Sequence, residues 1–200
     1  EEQIARFAVN QYKYPSLDVR PYFKRNYLYG ETMTHILGYV GRINDRDVER
    51  LKKEEKFANY SGSTDMGKLG IERYYEEQLH GTTGFEEVEI NNRGKVIRKL
   101  REQPATAGKS IHLTIDLALQ RYIMSLLSGQ KGAVVVLDPK DNSVLAMVST
   151  PSYDNNLFVD GISASDYKRL LDDPTRPLYS RATQGVYPPA STVKPFVAVA

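Results

Sequence analysis

Ala133-Val134-Val135-Val136-Leu137, Pro139-Lys140-Asp141-Asn142-Ser143 and Val144-Leu145-Ala146-Met147-Val148 read as a strand, a turn and a strand. β-branched side chains fit a pleated surface, and Pro, Asp, Asn and Ser fit the special conformations of turns. The unbroken Val-Val-Val-Leu run predicts a well-buried strand. Just upstream, Ile111 to Ile115 predicts another strand. Asp116 to Leu127 predicts a helix with Leu119, Tyr122, Ile123 and Leu126 on one face. This texture begins near Lys109, after Pro104 to Gly108, which lacks core residues and reads as a linker.

Before the linker the pattern is mixed. Tyr27 to Gly30 reads as a turn or strand end, and Met33 to Leu37 as a short helix. Asp45 to Lys56 is a charged helix whose thin apolar stripe, Val48 and Leu51, predicts a solvated surface element. Ile71, Tyr74, Tyr75 and Leu79 recur at helical spacing between Gly70 and Gly81, which predicts one helix with a glycine stop. Phe85 to Ile90 and Lys95 to Leu100 flank Asn91-Asn92-Arg93-Gly94, a hairpin signature.

Composition narrows the function classes. The 200 residues carry a formal charge of +2, too small to imply a polyanion partner, and no run approaches a spanning helix. Arg20, Lys24 and Arg25 interleave with Tyr22, Phe23 and Tyr27, but three charges anchor nucleic acid weakly, so none is expected as a partner. Without cysteine there is no disulfide or thiolate chemistry, and His35, His80 and His112 lack ligand spacing, so neither a metal nor a cofactor is expected. Gly108-Lys109-Ser110 fails as a phosphate loop because position 103 is Gln. The chain opens on Glu1 and stops inside the apolar run Phe196 to Ala200, as expected of a fragment open at both ends.

Ser-x-x-Lys occurs at Ser128 to Lys131, Ser165 to Lys168 and Ser191 to Lys194. Nucleophilic chemistry needs a hydroxyl at a helix start, an amine one turn on, and a dry surround that keeps the amine neutral. Ser128 lies in a polar loop, and Ser165 on a charged helix ending at Asp172-Asp173-Pro174. Ser191-Thr192-Val193-Lys194 leads into an apolar helix, and Pro195, tolerated in a first turn, puts Ser191 at or just before its N-cap. Two tensions remain. Lys194 precedes a proline, which disfavours helical geometry, and Ala190 disfavours a left-handed turn before the serine. An ordinary N-cap serine stays the alternative reading.

Three ordered stretches, Gly132 to Pro139, Val144 to Asn156 and Arg181 to Pro195, resemble the opening of a penicillin-binding transpeptidase domain. Upstream, Tyr29-Gly30, His35 to Gly41 and Gly67 to Glu76 resemble the non-catalytic pedestal of the class B penicillin-binding proteins. Leu157 to Ile162 and Ala182 to Pro189 are most similar to the elongation-specific members of rod-shaped Gram-negative bacteria. The resemblance implies an α+β fold: a pedestal, dimerisation-type domain over residues 1–105, then the N-terminal part of a transpeptidase domain, an antiparallel sheet with helices, over 106–200.

It also implies that Ser191 is the acyl-ester nucleophile and Lys194 the general base. The substrate would be peptidoglycan stem peptides, with β-lactams acylating the same serine. An amine with an ordinary pKa of about 10.4 is neutral in roughly one molecule in 2,500 at pH 7, so Lys194 would need burial to act. The family's Ser-x-Asn and Lys-Thr/Ser-Gly motifs do not occur in these residues. Implied partners are a membrane glycosyltransferase and a morphogenetic scaffold protein, docked on the pedestal. The implied location is the periplasmic face of the inner membrane, through an anchor upstream of residue 1. The Phe196 to Ala200 stub is expected to lack the neighbours that would bury it, and the segment after about Asp154 to be mobile in solution unless a separate chain completes the domain.

Overall fold

The computed structural model describes residues 2–14, 17, 24–92, 94 and 96–199. Helix α1 (Glu2–Asn10) ends in a 3-10 turn, Gln11–Lys13. Then follow α2 (Gly30–Leu37), β1 (Val40–Arg42), α3 (Asp45–Lys53), α4 (Phe57–Tyr60) and β2 (Asp65–Gly67). Two short helices, α5 (Gly70–Tyr74) and α6 (Glu76–His80), precede the ribbon of β3 (Phe85–Ile90) and β4 (Val96–Gln103). The remainder is α7 (Leu117–Leu126), β5 (Gly132–Leu137), β6 (Val144–Thr150), α8 (Ala164–Asp172), α9 (Arg181–Gln184) and α10 (Lys194–Val199). β1 pairs with β2, β3 with β4 and β5 with β6, all antiparallel, which makes the fold α+β. Arg93 and Lys95 of the hairpin turn, and Arg20, Tyr22 and Phe23 of the basic and aromatic stretch, lie outside the described residues.

Two apolar clusters anchor the chain. Leu51, Tyr60 and Met66 form one. Ile123, Ala146 and Val148 form the other, with Leu119, Met124 and Val134 against it. α3 is therefore no purely solvated element, because Leu51 is buried and Asp47 forms an ion pair with Lys68. It also ends earlier than its charge pattern suggests. Glu55 turns left-handed, and Glu55 and Lys56 donate their N–H groups back to the carbonyls of Lys52 and Leu51, the Schellman stop.

The helix expected through Ile71 to Leu79 is interrupted at Tyr75 (φ −104°, ψ 21°). The break accompanies two carboxylates turned inward. Glu72 meets Arg25 and Tyr27, and Glu76 accepts the N–H of Gly67 at 2.7 Å. Burial raises the pKa of Glu76, against that N–H bond. Tyr74, counted in the apolar stripe, is 81% exposed.

Further along, three expectations change. Ile111 to Ile115 forms no strand; Thr114 Oγ1 donates to the Val144 carbonyl, and Asp116, the residue after Ile115, donates its N–H to that of Leu145. α7 starts as expected from Asp116, whose carboxylate accepts the Leu119 N–H. Its buried residues, however, are Gln120 and Ile123, while Tyr122 and Leu126 face solvent. β5 alternates between half-buried and exposed, with Val135 and Leu137 outward. The deeply buried strand is β6, through Ala146 and Val148.

The Pro104 to Gly108 stretch is pinned. Thr106 bridges to Thr82 through both backbone bonds, and the Lys109 N–H reaches the Gln78 carbonyl at 2.7 Å. Between Asn155 and Arg181 the chain is anchored, since Asn155, Phe158, Val159, Ser180 and Arg181 are buried, whereas Val186 to Val199 is exposed. Asn155 and Asn156 find partners in the N-terminal half. Asn155 Nδ2 donates to the Gly38 carbonyl at 2.7 Å, and Asn156 exchanges bonds with the Tyr27 backbone at 2.9 and 3.0 Å. Gly38 itself has φ +72° and lies against the Leu69 carbonyl, where a Cβ would come within 1.9 Å, so only glycine fits.

Candidate functional site

Ser191 and Lys194 share one turn of backbone. Ala190–Val193 is a 3-10 helix, and the Lys194 N–H closes it on the Ser191 carbonyl. The two residues are therefore one helical turn apart along the backbone. Ser191 is thus inside a 3-10 turn, just before the N-cap of the α-helix that begins at Lys194.

The local sequence explains this turn. Ala190 takes φ +47°, a left-handed conformation that its Cβ was expected to oppose. Two bonds to the Pro189 carbonyl hold the reversal, one from the Thr192 N–H at 3.1 Å and one from the Thr192 hydroxyl. Lys194 is helical (φ −56°, ψ −42°) despite the following proline, and Pro195 occupies the first turn of α10, where an N–H has no intrahelical acceptor. Ser191 and Lys194 are both exposed, as are Phe196, Val197 and Val199. Among the described residues the apolar surround that the chemistry calls for is not in place.

The other two Ser-x-x-Lys pairs differ from this one. Ser128 lies in the turn after α7, before the left-handed Gly129. Ser165 is in the first turn of α8, whose N-cap is Ser163. Their lysines, Lys131 and Lys168, are exposed as well. His35, His80 and His112 are not brought together. Among the described residues no group of three or more metal-ligating side chains forms. His80 stacks on Tyr60 and meets Ser63 Oγ at 2.8 Å.

His35 packs edge-on against Tyr153, with its ring on the Pro151 carbonyl and Nε2 unpartnered. Burial lowers its pKa, and the Arg181 cation lowers it further against the Pro151 bond. A cavity of about 530 Å³ opens beside it at the seam of the two halves, lined by Thr34, Leu69, Ile115, Met147 and Leu178 among others. The seam is polar where it is tightest. Thr34 Oγ1 donates to the Tyr153 carbonyl at 2.6 Å, and Ser152 Oγ to that of Glu31 at 2.7 Å. Motif spacing gave no signal for Gln120, Ser149 or Arg181, all buried here.

No helix among the described residues is long and apolar enough to cross a membrane. Residues 1–113 match the family described as Penicillin-binding Protein dimerisation domain, and residues 132–200 the Penicillin binding protein transpeptidase domain. The sequence is 84% identical over 200 residues to peptidoglycan D,D-transpeptidase MrdA of Haemophilus influenzae, covering all of this chain and 31% of that protein. The chain therefore spans about a third of that relative's length. Its fold is similar to that of Pseudomonas aeruginosa PBP2, solved in complex with WCK 5153, with a TM-score of 0.75 and 45% identity over 91% of this chain and 36% of the other. It is also similar to that of Helicobacter pylori PBP2, solved in complex with MreC, with a TM-score of 0.79 and 29% identity over 98% and 36%.

Proposed function

The chain belongs to the penicillin-binding protein family, and from that premise we propose that the whole protein is a peptidoglycan D,D-transpeptidase of cell-wall elongation, with Ser191 as nucleophile and Lys194 as general base. The observation that carries this reading is the single 3-10 turn joining the hydroxyl and the amine within the segment similar to transpeptidases. In the reaction, Ser191 Oγ attacks the penultimate D-Ala carbonyl of a stem peptide while its proton passes to Lys194 Nζ. The C–N bond to the terminal D-Ala breaks, and the leaving amine takes the proton. An amine of a neighbouring strand then attacks the ester and forms the new C–N bond, its proton passes through Lys194 Nζ to Ser191 Oγ as the C–O bond to Ser191 breaks, and the hydroxyl is restored. A β-lactam enters the first half of this sequence, and its ring-opened acyl group stays on the serine.

Residues 1–105 are the pedestal in this reading and 106–200 the opening of the catalytic domain. Tight bonds across the seam, such as Thr34 to Tyr153, make α2 part of the platform on which the catalytic segment rests. The pedestal's further role is docking other members of the elongation assembly at the periplasmic face of the inner membrane. The similarity to an MreC-bound relative favours a morphogenetic scaffold as one partner, and a membrane glycosyltransferase is the second.

Labelling the full-length protein with a fluorescent penicillin tests the assignment. Ser191→Ala abolishes the covalent adduct, whereas Ser128→Ala and Ser165→Ala keep it. An adduct retained in Ser191→Ala would remove Ser191 from the mechanism. The exposure of Ser191 and Lys194 gives a second test: the 200-residue chain alone forms no adduct, because the dry surround that the chemistry calls for is not assembled around the pair. Intact-protein mass spectrometry reads this directly, and a stoichiometric adduct would show that the turn suffices.

A further inference from the structure

We infer that Arg181 is a positioning residue for Ser191, holding α9 and the loop before it against β6 so that the chain departs toward Ser191 from a fixed point. The inference rests on the reading of Ser191 as nucleophile. With four residues, α9 is too short to hold itself together. The side chain of its own N-cap residue, Ser180, makes no capping bond. The cap comes from another element: the Arg181 N–H donates to Ser149 Oγ at 2.8 Å, and that hydroxyl belongs to the buried end of β6.

The guanidinium of Arg181 turns back along the chain. It donates to the carbonyl of Thr175 at 2.5 Å and to that of Arg176 at 3.3 Å, and its centre lies 5.8 Å from the Tyr179 ring. Arg181 is only 9% exposed, and the contacts of its guanidinium among the described residues are these two carbonyls and the Tyr179 ring. A buried cation held by carbonyls alone contributes little net stability, because desolvation offsets its attractions. Its bonds are directional, however, and they fix residues 175–181 as one unit. The Tyr179 hydroxyl closes the far end on the Gln184 carbonyl at 2.5 Å. Gly185 follows with its N–H on the Arg181 carbonyl at 3.2 Å, in a space where a Cβ would come within 2.4 Å of that oxygen.

Beyond this unit only Val186-Tyr187-Pro188-Pro189-Ala190 remains before Ser191, and two of these residues are prolines with restricted backbones. The placement of Ser191 relative to the sheet is inherited from α9. A displacement of about 1 Å of a reacting group can slow a reaction about 100-fold without altering the group itself.

The test is the acylation of the full-length protein by a fluorescent penicillin, followed by stopped flow so that the first-order acylation constant separates from the dissociation constant of the initial complex. Arg181→Ala lowers the acylation constant by about 10- to 100-fold and leaves the dissociation constant and the pH profile in place. Arg181→Lys loses less, since one ammonium reaches one carbonyl. Ser149→Ala moves the acylation constant the same way, and Ser149→Thr, which keeps the hydroxyl, restores it. If Arg181→Ala does not fold, the Ser149 pair carries the same comparison with one atom changed. An acylation constant within twofold of wild type in folded Arg181→Ala, or in Ser149→Ala, overturns the inference. A wild-type protein never acylated at Ser191 would instead sink the nucleophile reading, and this inference with it.

Discussion

The side chain of Gln120 stands to Met147 as a neighbouring strand would: Nε2 donates to the Met147 carbonyl at 2.9 Å and Oε1 accepts the Met147 N–H at 2.9 Å. The second Nε2 hydrogen reaches across to the Thr32 carbonyl at 3.0 Å, at the start of α2. One fully buried amide thus closes the outer edge of β6 and ties it to the N-terminal half. A side chain can replace a strand here because its amide has the same donor and acceptor as a peptide group.

Gln120→Leu should therefore destabilise the protein by about 2–4 kcal/mol, since it leaves the Met147 N–H and carbonyl and the Thr32 carbonyl buried without partners. Tyr122→Ala, on the exposed side of the same helix, should cost under about 0.5 kcal/mol. Urea unfolding midpoints decide between them. Equal losses would mean that the apolar periodicity of α7, and not Gln120, marks its buried face.

Tyr27 and Glu72 form a second polar core. The Tyr27 hydroxyl donates to Glu72 Oε1 at 3.1 Å and accepts the Val40 N–H at 2.8 Å, while Arg25 Nε meets the same carboxylate oxygen at 2.9 Å. Burial, and then the Glu72 charge, push the Tyr27 hydroxyl far above the ordinary phenol pKa, so it remains a donor at every physiological pH. Tyr27→Phe should cost about 2–3 kcal/mol, with a coupling to Glu72→Gln of about 0.5–3 kcal/mol in a double-mutant cycle. Additive losses would show that the two side chains are independent.

His35 sets a pH dependence. Its folded pKa lies below the unfolded value of 6.5, chiefly through burial, so the unfolded chain takes up a proton first as pH falls. Its contribution is complete above pH 6.5 and is lost as pH falls toward the lower folded pKa. Melting temperatures between pH 7.5 and about 5 should drop in the wild type and drop less steeply in His35→Phe, whatever that substitution costs at pH 7.5. An unchanged slope would assign the acid sensitivity to other groups.

Ala190 holds φ +47° on the approach to Ser191. Ala190→Gly should relieve that turn, and Ala190→Val, β-branched at a left-handed position, should weaken it by about 1–3 kcal/mol. Amide exchange at Thr192, whose N–H closes the turn on Pro189, reports the effect locally. Slower exchange in the valine variant than in the glycine variant would contradict the strain.

What the sequence by itself determined was local. The turn between β5 and β6, the start of α7 at Asp116, the β3–β4 hairpin and the Ser191 to Lys194 spacing all depend on neighbouring residues, whose preferences act within a few positions. Its similarity to a known family was legible for the same reason, being carried by contiguous motifs. Tertiary structure decided which faces are buried. Gln120 displaces Tyr122 because its amide finds Thr32, 88 positions away, and Glu72 turns inward because Tyr27, 45 positions away, can donate to it. Periodicity counts apolar side chains and so points burial at Tyr122 and Tyr74. A polar group enters the core only where distant backbone or side-chain partners replace its water, and chain spacing does not reveal those partners.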